Sequence, residues 1–221
     1  MKRVLIANRG EVACRVIRAC RLLGLYSIAV YSEADAHSMH VELADEAVPI
    51  GPAPARQSYL NAAGVLAAAV AARADAIHPG YGFLSENADF ARAVKAAKLI
   101  FIGPEPDVIE AMGDKGLARA MAESAGVPVL PGSPRFDSED NANVAAYASG
   151  TGFPLLVKAA GGGGGIGMRR VDHAEQLQAV VSAAQVQAKR VFGNGAVYLE
   201  RLVAAARHVE IQVFGFGDGR I

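Results

Sequence analysis

Lys158-Ala159-Ala160-Gly161-Gly162-Gly163-Gly164-Gly165-Ile166-Gly167-Met168 follows directly on an apolar run at 153–157. The apolar run reads as a strand, and the lysine ends it. Five consecutive glycines, and a sixth two residues on, have no side chains to pack and a large ordering entropy to lose. Inside a globular domain such a run makes sense where backbone N–H groups must approach an anion, and phosphate oxygens are the usual one. A P-loop carries Lys-Ser/Thr after its glycines and opens a helix. Here the lysine comes first and strand-like residues follow. That order suits a hairpin flap folding over phosphates better than a fixed cradle. A flexible linker is the alternative, but linkers are usually polar and rarely join strands on both sides.

Length and composition narrow the setting. A chain of 221 residues holds one large domain or two small ones, and 52% hydrophobic content is enough for a real core. The formal net charge is zero, there is no basic block, and Trp is absent. Nothing favours nucleic acid as a partner. The longest apolar runs break within a few residues, so no segment spans a membrane bilayer. The apolar stretch within residues 1–9 is too short for a signal peptide and reads as a first strand. Cys14 and Cys20 lie on different faces of one helix, which argues against a disulfide and for a reducing, cytoplasmic setting.

Strand and helix signals alternate through the first hundred residues. Strands are expected at 3–7, 26–31, 75–78 and 99–103, and helices at 59–72 and 87–97. Val12, Val16, Ala19 and Leu23 recur at helical spacing as a core stripe, with Arg15, Arg18 and Arg21 on the solvated side and Gly24 as the stop. This alternation predicts an α/β fold with a parallel sheet covered on both faces. After a break at 103–106, helices are expected at 107–112 and from Asp114 to about Gly126. Pro128, Pro131 and Pro134 then mark a linker. The second unit is expected to hold a helix near 140–148, the strand into Lys158, the glycine loop and a strand at 168–171. A helix capped by Asp172 then runs to about Phe192, followed by strands at 196–201 and 208–214.

Other constellations are weaker alone. The junction Ala7-Asn8-Arg9-Gly10-Glu11 lacks the G-x-G-x-x-G of a dinucleotide site, so the first unit reads as Rossmann-like scaffold. Lys115 in the first turn of its helix opposes the helix dipole, which an anionic ligand would explain. His78-Pro79-Gly80-Tyr81-Gly82-Phe83-Leu84-Ser85-Glu86-Asn87 follows a strand at the end where ligands bind in open α/β sheets, with Ser85 placed to cap the next helix. His208, Glu210 and Gln212 alternate with Val209, Ile211 and Val213, either as a solvated sheet face or as the polar wall of a cleft. Glu200 is a salt-bridge partner by default and a base-edge acceptor if a purine lies near, with Leu202 and Val203 then flanking the ring. No zinc spacing and no nucleophile arrangement is visible.

Together these pieces resemble the biotin carboxylases, the ATP-grasp component of biotin-dependent acyl-CoA, pyruvate and related carboxylases. The resemblance runs the length of the chain. It is carried by residues 6–11, 78–87, the glycine loop ending in Gly167-Met168-Arg169, and Arg207-His208-Val209-Glu210-Ile211-Gln212-Val213. It implies a Rossmann-like N-terminal domain at 1–113 and a partial ATP-grasp domain at 114–221, with a lid at about 131–203. The implied chemistry is phosphorylation of bicarbonate by MgATP to carboxyphosphate, which carboxylates a ureido nitrogen of carrier-bound biotin. By position, Lys115 and Lys158 would bind ATP phosphates, and Gly164 and Gly165 would close over them. Glu200, Arg201, Leu202 and Val203 would hold adenine, His208 would bind the nucleotide, and Tyr81 and Gly82 match the biotin-facing loop. Ile166 departs from the family, being basic in some members. The family's ligands for magnesium (or manganese), its catalytic arginine and its bicarbonate base would lie beyond residue 221. On that expectation the chain is the N-terminal part of a biotin carboxylase, inactive alone. The implied partners are a biotin carboxyl carrier, a carboxyltransferase and, at full length, a second copy. The alternatives are another ATP-grasp ligase or a noncatalytic nucleotide-binding module.

Overall fold

The computed structural model describes residues 1–137, 141–160, 167–209 and 211–215, the side chain of residue 115 excepted. It divides into two units, Met1–Ala118 and Arg119–Ile221.

The first unit is a parallel sheet of β1 (Arg3–Ile6), β2 (Tyr26–Ser32), β3 (Glu46–Gly51), β4 (Ala76–His78) and β5 (Ile100–Phe101), in the order β3-β2-β1-β4-β5. Its helices are α1 (Gly10–Leu22), α2 (Met39–Leu43), α3 (Ala62–Ala71), α4 (Ala88–Ala96) and α5 (Pro106–Gly113). The central strands are continuous apolar runs because both faces are covered. Leu5, Ile28 and Ile77 pack with Val65 of α3 and Phe90 and Val94 of α4. Val4 packs with Cys20 of α1, and Ile6 with Ala13 and Ile17. The α/β, Rossmann-like expectation therefore holds. The strand order reverses between β1 and β4, and the carboxyl ends of those two strands flank the crevice where open α/β sheets bind ligands.

Several local expectations are corrected. The buried stripe of α1 is Ala13, Cys14, Ile17 and Cys20, while Ala19 is exposed and Leu23 lies beyond the helix end, 73% exposed. Val12 and Val16 of the expected stripe are half-buried, and Val16 packs against the same core, while Cys14 and Cys20, expected on different faces, are both buried. α3 starts later than expected because Asn61 caps it, accepting from Gly64 N at 3.1 Å. Asn87, not Ser85, caps α4 by accepting from Phe90 N at 2.8 Å. α2 and β3 carry no clear sequence signal. Pro49 is tolerated in β3 because the strand lies at the sheet edge.

The second unit holds most of α6 (Lys115–Ser124), then α7 (Val144–Thr151), β6 (Leu155–Ala159), β7 (Arg169–Val171), α8 (Ala174–Phe192) and β8 (Val197–Arg201). The strands form an antiparallel sheet, β7-β6-β8. One face, with Leu155, Val157, Val171, Val197 and Leu199, packs on Val144 and Ala148 of α7 and Leu177, Val181 and Ala184 of α8. His173 rather than Asp172 stands at the α8 N-cap, without a side-chain cap bond; Asp172 instead pairs with Arg170. The proline-marked linker is in part structural. Ser133 N and Phe136 N donate to Leu199 O and Val197 O, both at 2.9 Å, and Pro131 O accepts from Arg201 N at 2.8 Å. This segment thus covers the outer edge of β8. The expected strand at 208–214 is not formed by the described residues there. Val209, Ile211, Val213 and Phe214 are 63–83% exposed, and no described strand pairs with them. An alternating pattern makes a strand only where a neighbouring edge supplies the hydrogen bonds.

Candidate functional site

Alternation along β6 and β8 separates two faces of the antiparallel sheet. Leu155, Val157 and Ala159 are buried against the helices, which turns Leu156 and Lys158 to the other face. Across the ladder, Lys158 stands opposite Tyr198 and Leu156 opposite Glu200. Lys158 and Glu200 are diagonal neighbours on that face, and Lys158 Nζ pairs with Glu200 Oε1. Each side chain is 21% exposed, so the pair is only partly wet. Tyr198 is 9% exposed beside it. Burial, and then the Glu200 carboxylate, push the Tyr198 hydroxyl up to about 12, with Arg119 opposing.

The other residues expected to bind nucleotide fall in different places. Arg201 lies on the helix-packed face; its Nη1 sits where a Cβ on Gly152, at the end of α7, would come within 2.1 Å. Its backbone N–H is taken by Pro131 O and that of Leu202 by Pro154 O, at 2.8 and 2.9 Å. Leu202 is half-buried and Val203 is 45% exposed, just past the Glu200 end of β8. His208 is exposed further along the chain. Asp114 caps α6 through Oδ1, accepting from Gly116 N at 2.8 Å and Leu117 N at 3.0 Å. The side chain of Lys115 is outside the described residues. Gly164 and Gly165 are also outside them. Among the described residues no cluster of three His, Cys, Asp or Glu side chains gathers as a metal site requires. No helix among them is long and apolar enough to cross a membrane.

In the first unit, Tyr81 stands at the tip of the loop after β4, 70% exposed, between Gly80 and Gly82 at φ of +68° and +69°. His78 Nδ1 accepts from Gly80 N at 3.0 Å, and burial pushes the imidazole pKa down. Sequence reasoning placed Asn8 and Arg9 in a stretch that carries the resemblance but gave them no role, and it passed over Asp35 and Tyr59. Yet Asn8, 2% exposed, donates through Nδ2 to Pro79 O and Tyr81 O, both at 2.8 Å. Arg9 Nε donates to Asp35 Oδ2 at 2.7 Å, and Tyr59 OH donates to the same oxygen at 2.6 Å. The Arg9 guanidinium holds the Asp35 carboxyl well below the usual carboxylate range.

Residues 1–109 match the family model of the biotin carboxylase N-terminal domain. Residues 114–220 match the ATP-binding domain of the carbamoyl-phosphate synthase L chain. Biotin carboxylase from Pseudomonas aeruginosa is 49% identical over 219 residues, 99% of this chain and 49% of its own length. The alpha subunit of mitochondrial methylcrotonoyl-CoA carboxylase from Oryza sativa is 47% identical over all of this chain and 30% of its own length. Among solved structures, the biotin carboxylase domain dimer of Hydrogenobacter thermophilus 2-oxoglutarate carboxylase, in complex with MgADP, ADP and bicarbonate, superposes with a TM-score of 0.84. It is 44% identical, over 92% of this chain and 44% of that one. The chain thus spans about half the length of the curated biotin carboxylases it matches. With residues 1–109 and 114–220 matched in order, and about half of the residues identical over 99% of the chain, the chain belongs to the biotin carboxylase family.

Proposed function

We propose that this chain supplies the N-terminal domain, the lid and part of the adenine pocket of an ATP-dependent biotin carboxylase. In that reaction a bicarbonate oxygen attacks the γ-phosphorus of ATP, ADP leaves, and the resulting carboxyphosphate passes its carboxyl group to a ureido nitrogen of biotin, releasing phosphate. Phosphoryl transfer of this kind asks for positioning and charge neutralisation more than covalent help.

The observation that carries the reading is the Lys158–Glu200 pair, on the face turned away from α7 and α8, of the sheet whose central strand runs into the glycine loop. A cationic donor beside an anionic acceptor complements the adenine edge, which offers the N7 acceptor next to the N6 amino donor. Lys158 has three N–H donors, so one remains for a phosphate oxygen after N7 and Glu200 are served. Val203 and Leu202, just past Glu200, offer apolar surface to the ring. Gly164 and Gly165 would close over the phosphates and keep water from carboxyphosphate. Lys115 and His208 would add positive charge to the same nucleotide, and the backbone at Arg201 would border the base. Tyr81 and Gly82 would face biotin.

Magnesium would accompany ATP. The described residues do not form a set that fits it, so no step is assigned to the metal here. The domain division at 113/114 and a lid at about 131–203 are part of the proposal, as are a carrier domain, a carboxyltransferase, a homodimer and a cytoplasmic setting. Because the chain spans about half the length of its relatives, the 221 residues alone are expected to give no bicarbonate-dependent ADP release.

A second reading has one observation in its favour: the model matching residues 114–220 is named for carbamoyl-phosphate synthase. Labelled bicarbonate separates the two. With MgATP, the enzyme at the full length of its relatives is expected to move label to free biotin. Label moving only to an ammonia-derived product would favour the second reading.

A further inference from the structure

Five groups of contacts around the first-unit loop close into a ring. Starting at the loop, Pro79 O and Tyr81 O both accept from Asn8 Nδ2 at 2.8 Å. Asn8 Oδ1 accepts from Arg9 N at 2.9 Å, so the amide is used at both ends. Arg9 clasps Asp35 with two nitrogens. Asp35, 4% exposed, also accepts from Tyr59 OH at 2.6 Å and from Ser32 Oγ and Ser38 Oγ, both at 3.2 Å. The Tyr59 ring then stacks on Phe83, centroid to centroid 5.1 Å, which returns the ring to the loop.

Two features show that the loop is tightly constrained by its surroundings. Gly80 sits at φ +68° with its Cα so close to Asn8 that a Cβ would come 2.6 Å from Nδ2. Phe83 adopts φ +42°, a conformation that L side chains rarely take. Backbone held in such regions persists where surrounding contacts over-determine it. What the ring leaves outside is Tyr81, whose carbonyl is bonded to Asn8 while its side chain is 70% exposed.

We infer that Asn8, Arg9, Asp35 and Tyr59 are positioning residues that fix the Tyr81–Gly82 loop for biotin, with no contact of their own to either substrate. The inference rests on the biotin-facing reading of Tyr81 given above. Preorganisation of this kind acts on binding, since a loop already ordered does not have to be ordered by the ligand. It acts on the biotin side and leaves the nucleotide side, in the other unit, unchanged.

The test uses Asn8→Ala, which removes both bonds to the loop. Tyr59→Phe is the milder companion: it keeps the stack on Phe83 and deletes only the hydroxyl, so the idea stays testable if Asn8→Ala does not fold. Hydrogen exchange on the 221-residue chain is expected to show the loop amides of Gly80 and Ser85, bonded to His78 Nδ1 and Gly82 O, exchanging about tenfold faster in both variants, with β4 and α4 protection unchanged. In the enzyme at the full length of its relatives, the KM for free biotin should rise about five- to twentyfold, as in Tyr81→Ala. The KM for ATP should move less than about twofold. Unchanged exchange in a folded Asn8→Ala or Tyr59→Phe variant overturns the positioning role. So does a parallel rise in both KM values, which marks a general structural role. Faster loop exchange, with the KM for biotin unmoved in Tyr81→Ala as well, leaves the positioning intact and overturns the biotin reading of the loop.

Discussion

Lys158 and Glu200 meet across two antiparallel strands as diagonal neighbours, on the sheet face opposite the one packed on α7 and α8. Neither belongs to the apolar core. Each side chain is only 21% exposed, and an ion pair largely removed from water stabilises little against its desolvation cost, so its use is better sought in recognition. If Glu200 reads the adenine amino group, guanine should be disfavoured, because it turns an O6 acceptor toward the same carboxylate. The expected preference for ATP over GTP is about tenfold or more, and Glu200→Gln should narrow it, since an amide can turn its N–H₂ toward O6. Competition between the two nucleotides in turnover or binding assays checks this. An unchanged ratio in Glu200→Gln would remove Glu200 from base recognition.

Asp35 is the most heavily bonded carboxylate in the first unit. Asp35→Asn leaves Arg9 without its ionic partner and weakens the bond from Tyr59. The expected loss is about 1–3 kcal/mol in the stability of that unit, read as a lower urea midpoint with an unchanged slope. A variant as stable as the parent would contradict the ring of contacts described above.

His40, buried, and His78, half-buried, set the acid side of the stability profile. Burial lowers the pKa of both imidazoles, and His40 Nδ1 is buried without a hydrogen-bond partner in the structure. For a base with a lowered folded-state pKa, the unfolded chain takes up the proton first. Stability is therefore full above about pH 6.5, the ordinary histidine value, and falls as the pH drops through it toward the folded values. Each histidine contributes a slope of at most about 1.4 kcal/mol per pH unit. Asp35 adds a separate window: its lowered pKa stabilises the fold above about pH 3.9, and that contribution is lost on further acidification. Urea titrations between pH 8 and 5 should show the first fall, and His40→Asn should make it shallower. A flat profile in the parent would contradict the assignment.

Two glycines with similar backbone angles should respond differently to alanine. Gly10 has φ +61° and nothing within 4 Å of an added Cβ. Gly10→Ala is expected to lose only the left-handed backbone term, about 1–2 kcal/mol. At Gly80, φ +68°, the Cβ would also lie 2.7 Å from Val12 Cγ1 as well as against Asn8. The added overpacking is about 1–3 kcal/mol. Equal losses at the two positions would show that the loop yields, which would count against a fixed Tyr81.

Continuous apolar runs between helical patterns made the parallel sheet legible in the sequence, because strands buried on both faces leave no room for polar residues. β3 was not legible: at the edge, with Glu46 and Pro49 in it, nothing forces an apolar pattern. The prolines at 131 and 134 read as a linker because proline lacks an N–H, yet their carbonyls still accept bonds. The segment 208–214 shows the reverse case, a clean alternation without a paired edge among the described residues. At the site, the lysine beside the glycines was legible from chemistry alone, and Glu200 only as one of two options. Their contact depends on the register of β6 against β8, which sequence spacing does not fix. The Asn8 ring was hidden because its members come from four separate segments joined only by the fold.

The most direct test of the account is bicarbonate-dependent ADP release from MgATP, with free biotin, by the enzyme at the full length of its relatives, compared with Lys158→Ala. The account predicts turnover in the parent and a loss of about a hundredfold or more in the variant, since the side chain that joins base edge to phosphate is gone. Turnover in Lys158→Ala equal to the parent, or ADP release in the parent that ignores bicarbonate, would contradict it.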